Sequence, residues 1–193
     1  MLIGVLALQG AFREHRMAIK ECGVDSIEVR KRQELEQVDG LIIPGGESTT
    51  MGRLLIDYDL MEPIQKKAAA GMPIYGTCAG LVLLAKEIEG SNQPRLGLME
   101  MEVKRNAFGR QVDSFEADLQ IPALGDTPFR GVFIRAPYIT RVGPEIEVLA
   151  KYDDKIIFAR QGQFLASAFH PELTKDLRIH KYFLKMVEEA TST

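Results

Sequence analysis

The chain is predicted to be an α/β protein, a doubly wound, mostly parallel sheet with an added antiparallel region in its C-terminal half. Three observations predict this. Short β-rich runs alternate with helical patterns up to about Gly90, the order that a parallel sheet covered by helices produces. The first run, Leu2 to Leu8, is nearly all apolar, as suits a strand buried on both faces. After Gly90 the alternation stops and strands dominate. A length of 193 residues with 46% hydrophobic and 26% charged residues fits one domain, 1–193, with a sizeable core.

The elements follow in order. Helical spacing runs from Phe12 to about Cys22. Ile27 to Arg30 is a second strand and Gly40 to Ile43 a third. Helices are expected at Met51–Ile56 and Met61–Ala70. Pro73 to Tyr75 is a strand that leads into Gly76-Thr77-Cys78-Ala79-Gly80, and Leu81 to Lys86 is a buried helix. The later strands are Glu100–Arg105, Ser114–Gln120, Gly131–Ile134, Val148–Tyr152, Ile156–Arg160 and Phe164–Phe169, with a hairpin turn at Asp153-Asp154. Ile179, Phe183, Leu184 and Val187 recur at helical spacing, so a closing helix fits Lys175–Glu189. Four segments lie just after predicted strands: Gln9-Gly10, Pro44 to Ser48, Gly76 to Gly80, and His170 to Glu172. Ligands on open parallel sheets bind beyond the carboxyl ends of the strands, so these four should share one edge.

Composition excludes several classes. A net charge of −3 gives no electrostatic case for nucleic acid or a membrane surface. No apolar run is long enough to span a bilayer, and Met1 to Leu8 lacks the basic start and cleavage site of a signal peptide. The 2 cysteines form no disulfide framework, so a cytoplasmic chain with reduced thiols is expected. No His/Cys spacing suggests a metal, and no cofactor is implied.

The chemistry concentrates in three motifs. Gly-x-Cys-x-Gly between a strand and an apolar helix is the context of a nucleophile elbow, here with Cys78 at its tip. The flanking glycines suit a turn too tight for a Cβ. A helix N-terminus favours a thiolate, and the N–H of Ala79 would face a developing oxyanion. A lone cysteine is more often a packed apolar residue, the reading taken for Cys22. In His170-Pro171-Glu172, an extended backbone would turn residues i and i+2 the same way, letting Glu172 hold the imidazole of His170. Taken alone this would be a strand-end histidine beside an incidental glutamate. With a cysteine elbow on the same edge it reads as the base. His15 and His180 lie among charged neighbours and are expected at the surface or half-buried. The third motif, Pro44-Gly45-Gly46-Glu47-Ser48, can present bare backbone N–H groups. The one at Gly46 would complete an oxyanion hole with Ala79. The loop lacks the lysine and spacing of a phosphate loop, and Ser48 or Thr49 could cap the next helix.

Together these motifs resemble the class I glutamine amidotransferase family, with its Cys-His-Glu triad on a flavodoxin-like sheet. Leu8 to His15, Arg105 to Phe115, Gly131 to Pro137 and Gln161 to Glu172 extend the resemblance to one subfamily, the glutaminase subunits of pyridoxal 5′-phosphate synthases. The resemblance implies hydrolysis of L-glutamine to glutamate and ammonia by Cys78, His170 and Glu172. It also implies glutamine contacts at Gly46, Glu47, Ser48, Arg105, Ile134 and Arg135, and a (β/α)-barrel synthase subunit as partner. Two alternatives stand beside it. One is a glutaminase serving another synthase, such as that making imidazole glycerol phosphate. The other is a thiol protein or flavodoxin-like binding module without amidotransferase activity, although Gln9 to Phe12 lacks the Ser/Thr-rich phosphate cradle such a module needs.

Overall fold

A computed structural model describes residues 1–108 and 113–192. Its elements are β1 (Leu2–Leu6), α1 (Phe12–Glu21), β2 (Asp25–Val29), α2 (Arg32–Leu35), β3 (Gly40–Ile43), α3 (Ser48–Asp57), α4 (Met61–Ala69), β4 (Ile74–Thr77) and α5 (Ala79–Leu84). There follow β5 (Ala85–Ile88), β6 (Met99–Lys104), β7 (Ser114–Leu119), β8 (Phe129–Ile134), β9 (Tyr138–Val142), β10 (Glu147–Tyr152), β11 (Lys155–Gln161), β12 (Phe164–Ser167) and α6 (Arg178–Thr191).

The main sheet runs β2-β1-β3-β4-β12-β11-β9-β6-β5, with β10 also paired to β11. From β2 to β12 every pair is parallel. The inner strands β1, β3, β4 and β12 are short and largely apolar because both faces are covered: Ile3, Val5, Leu41, Ile42, Tyr75 and Leu165 are fully buried. The fold is thus the doubly wound α/β architecture expected, and the added region is antiparallel as expected. Part of it prolongs the main sheet through the antiparallel pairs β12–β11, β11–β9 and β9–β6. Part stands apart as the β7–β8 ribbon. Asp153 and Asp154, at φ +49° and +59°, make the tight turn between β10 and β11.

The structure corrects the sequence reading in several places. The helix expected over Leu81–Lys86 is α5, which ends at Leu84, and the chain runs straight into β5, pairing parallel to β6. Strand β9 and the one-turn helix α2 were not foreseen. β9 alternates only weakly between apolar and polar residues, and α2 is polar and only four residues long, too short to show a period. The last helix starts at Arg178 rather than Lys175. Thr174 Oγ1 accepts from the Asp176 N–H and Asp176 Oδ1 from the Arg178 N–H, local bonds that hold the chain out of the helix until then.

Candidate active site

Strands β1, β3, β4 and β12 are neighbours and all point the same way, so the four segments that follow them meet at one edge. A cleft of about 520 Å³ opens there. It is lined by Gln9, Gly10, Gly45, Gly46, Glu47, Ser48, Cys78, Ala79, Arg105, Ile134, Arg135 and His170, among others. Every candidate residue from the sequence is in this lining except Glu172, which lies behind His170.

The elbow at the end of β4 is held by sterics. An added Cβ at Gly76 would lie 2.5 Å from the Gly80 backbone, and one at Gly80 would lie 2.2 Å from the Ile43 carbonyl oxygen. Cys78 takes φ +50° and ψ −103°, a conformation that costs about 1–3 kcal/mol for a non-glycine residue. Its own N–H donates to the Ser167 carbonyl at 2.8 Å, which ties the strained tip to β12. Ala79 opens α5, and its N–H has no intrahelical acceptor. Across the cleft, the Gly45 carbonyl accepts from the Ala11 N–H at 3.0 Å. No peptide bond among the described residues is cis, so the Gly46 N–H points away from Ala11.

His170 follows β12, and its backbone N–H donates to the Val132 carbonyl of β8 at 2.8 Å. The backbone is not extended through this motif as expected. Pro171–Leu173 is a single 3-10 turn, because proline fits the first helical position. The turn still brings Glu172 Oε1 to 2.6 Å from His170 Nδ1. The ring lies against the glycine loop and the cysteine: a Cβ on Gly45 would sit 2.5 Å from His170 Cε1 and 3.5 Å from Cys78 Cβ. His170 Nε2 is buried without a hydrogen-bond partner among the described residues.

Burial alone would lower the pKa of His170, but Cys78 and Glu172 outweigh it and raise the value to about 10. Burial pushes the Glu172 carboxyl up, and the flanking His15 and His170 reverse this, holding it below the usual carboxylate range. Because the pKa of His170 is raised above that of the unfolded chain, the stability this gives is full below about pH 6.5 and lost as pH rises through about 10. The melting temperature is expected to fall between pH 7 and 10 more steeply in the native protein than in His170→Asn; parallel curves would reject this.

The rim also takes form. Glu47, not Ser48 or Thr49, caps α3: its carboxylate accepts from the N–H of Thr49 at 3.1 Å and of Thr50 at 2.6 Å. Partial burial raises its pKa, and these donors overcome that to lower it. The Ser48 hydroxyl accepts instead from Gln93 at 3.0 Å. Arg105 donates to Thr49 Oγ1 at 3.1 Å, so it is anchored to the same loop. Phe108, three residues on, packs against Phe115, Phe133 and Tyr138, which holds the Arg105 segment over the cleft. Arg135 sits at φ +45°, and the carbonyl of Ile134 before it is 3.8 Å from Cys78 Sγ. Residues 109–112 of the Arg105–Phe115 motif lie outside the described residues.

His15 and His180 contradict the expectation of surface or half-buried positions; both are fully buried. The charged neighbours misled, because they occupy other faces of the same helices. His15 shares its face with Ala18 and Ile19, and His180 shares one with Phe183, Leu184 and Val187. That i, i+3, i+4 spacing was the signal available. Cys22 is half-buried and packs against the core.

A buried imidazole beside a thiol, with backbone donors opposite, can form and break an acyl–sulfur bond. Comparison with known proteins bears on the acyl donor. Residues 5–189 match the SNO glutamine amidotransferase family. Pyridoxal 5′-phosphate synthase subunit PdxT of Pelotomaculum thermopropionicum is 63% identical over 185 residues, covering 96% of this chain and 94% of that protein. The protein of the same name from Carboxydothermus hydrogenoformans is 62% identical over 187 residues, covering 97% and 98%. A solved structure titled as a glutamine amidotransferase superposes with a TM-score of 0.92 at 53% identity, covering 96% of this chain and 98% of that one.

Proposed function

As the chain belongs to the SNO glutamine amidotransferase family, we propose that it is the glutaminase subunit of a pyridoxal 5′-phosphate synthase, hydrolysing L-glutamine and passing the ammonia to a synthase subunit. One observation carries the chemistry: the thiol of Cys78, the imidazole of His170 held by Glu172, and the Gly45-Gly46 loop meet in a single cleft. The names of the relatives carry the use of the product, and disfavour a glutaminase of imidazole glycerol phosphate synthase or a non-enzymatic module.

In this reading the Cys78 thiol gives its proton to His170 and the sulfur attacks the side-chain amide carbon of glutamine. The N–H groups of Gly46 and Ala79 hold the oxyanion that forms. Protonated His170 gives its proton to the departing nitrogen, the C–N bond breaks, and ammonia leaves a thioester on Cys78. Water then attacks the thioester, His170 takes the water proton and passes it to the departing sulfur, and glutamate leaves as the thiol–imidazole pair is restored. Glu172 fixes the ring tautomer and stabilises its charge. Arg105 and Arg135 would engage the α-carboxylate of glutamine by charge-assisted bonds, with Glu47 facing the α-ammonium and Ser48 and Ile134 completing the wall.

Residues 1–193 would act as one amidotransferase domain, in the cytoplasm, docked on a synthase subunit built as a (β/α) barrel. No helix among the described residues is long and apolar enough to cross a membrane. Ammonia released into water near neutral pH becomes ammonium and is no longer a nucleophile, so direct delivery to a partner fits the chemistry. The test is ammonia release from glutamine with and without candidate synthases. Stimulation by the pyridoxal 5′-phosphate synthase subunit is expected. Stimulation only by the imidazole glycerol phosphate partner would overturn the assignment.

A further inference from the structure

Two imidazoles are sealed behind Glu172, and the steps above use neither of them. His15 Nε2 lies 3.2 Å from Thr77 Oγ1 and 3.5 Å from Glu172 Oε2, a buried oxygen that has no hydrogen bond among the described residues. His15 Nδ1 lies 3.0 Å from His180 Nε2. His180 Nδ1 has no hydrogen-bond partner among the described residues.

The donor order follows from the carboxylate, which only accepts. Facing Glu172 Oε2, His15 Nε2 must carry the hydrogen. His15 Nδ1 is then an acceptor, and His180 Nε2 donates to it. That leaves the unpartnered His180 Nδ1 as a bare lone pair, less costly to bury than an orphaned N–H. The opposite order would aim a lone pair of His15 at Glu172 and strand a buried donor on His180. Packing alone does not require this pair. Burial pushes His15 below its ordinary pKa and takes His180 to about 3, and a leucine would fill either space without an unpartnered nitrogen.

Building on the glutaminase reading, we propose that His15 is a positioning residue: it holds the second oxygen of Glu172 so that the first stays on His170, and His180 fixes the tautomer of His15. The carboxylate thereby has a ring nitrogen on each side, His170 hydrogen-bonded at 2.6 Å and His15 facing the otherwise unpartnered oxygen at 3.5 Å. The other titratable groups facing this cluster are Cys78 beyond His170, Glu14 in α1, and Tyr75 in β4. Tyr75 is held neutral by burial and packs edge-on to His15.

The test compares His15→Leu, His15→Gln and His180→Phe in the full chain. The pH at which His170 loses its proton is read by NMR of labelled histidine, and glutaminase kinetics are measured with the synthase partner. In His15→Leu, His170 is expected to deprotonate at least about one pH unit lower. Its kcat should fall roughly tenfold, the scale of one polar group facing a buried charge, with KM for glutamine nearly unchanged. His15→Gln keeps an N–H for Glu172 and should recover most of both. If His15→Leu does not fold, His180→Phe still decides, since it leaves His15 in place but frees its tautomer; a smaller downward shift of the His170 titration is expected. An unchanged titration and kcat in a folded His15→Leu, or an unchanged titration in His180→Phe, overturns the proposal. Absence of glutamine hydrolysis by the native protein with its partner would instead overturn the function proposed above, leaving the titration result standing.

Discussion

Cys78→Ala is expected to bring ammonia release from glutamine to background, a loss on the order of 10⁴-fold or more, with the fold intact. Without the sulfur no thioester forms. The backbone donors and the protonated His170 remain, but they can only assist direct attack by water, which is far slower. The fold should survive because alanine at position 78 meets the same backbone strain as cysteine and gives up only one small, buried atom. Cys22→Ser, made in parallel, should leave the rate nearly unchanged, since that thiol ends α1 and is absent from the cleft lining. Circular dichroism and an ammonia assay with the synthase partner decide the matter. Substantial turnover by a well-folded Cys78→Ala, or equal losses from the two changes, would remove Cys78 from the chemistry.

His170→Asn is expected to lose activity on a similar scale, on the order of 10³- to 10⁴-fold, through the loss of proton transfer to the leaving nitrogen. Asparagine is chosen because its amide can still donate to Glu172, so the buried carboxylate is not left alone. Removing that partner altogether would cost about 3–5 kcal/mol and confuse instability with lost chemistry. The order His170 far above His15, and His15 above His180, is the pattern the geometry requires. Comparable losses at His170 and His180 in folded variants would mean the base has been misassigned.

Much of this arrangement is legible in the amino-acid sequence, because the signals are local and strong. Strands such as Gly40–Ile43 are apolar throughout, and a glycine-flanked cysteine between a strand and a helix has few other uses. The parallel order then brings the loops after β1, β3, β4 and β12 together. What escaped was set by tertiary contacts. Strand β5 exists because β6 pairs with it, although Lys86 and Glu87 face solvent. Glu47 caps α3 where serine or threonine was the better candidate, because Gln93 holds the Ser48 hydroxyl. His15 and His180 looked exposed from their neighbours in sequence, whereas their helical phase put them in the interior.

The close approaches around Gly45 make the two walls of the cleft unequal. On the parallel-sheet side, main chain packs so tightly against His170, Cys78 and neighbouring backbone that Gly10, Gly45, Gly76 and Gly80 leave no room for even a methyl group. The opposite wall, around Arg105, Ile134 and Arg135, is made of exposed side chains at the ends of antiparallel strands. Redesign toward a different amide must therefore work on that second wall: the first is a fixed casting, and only the side chains facing it can be exchanged without breaking the mould.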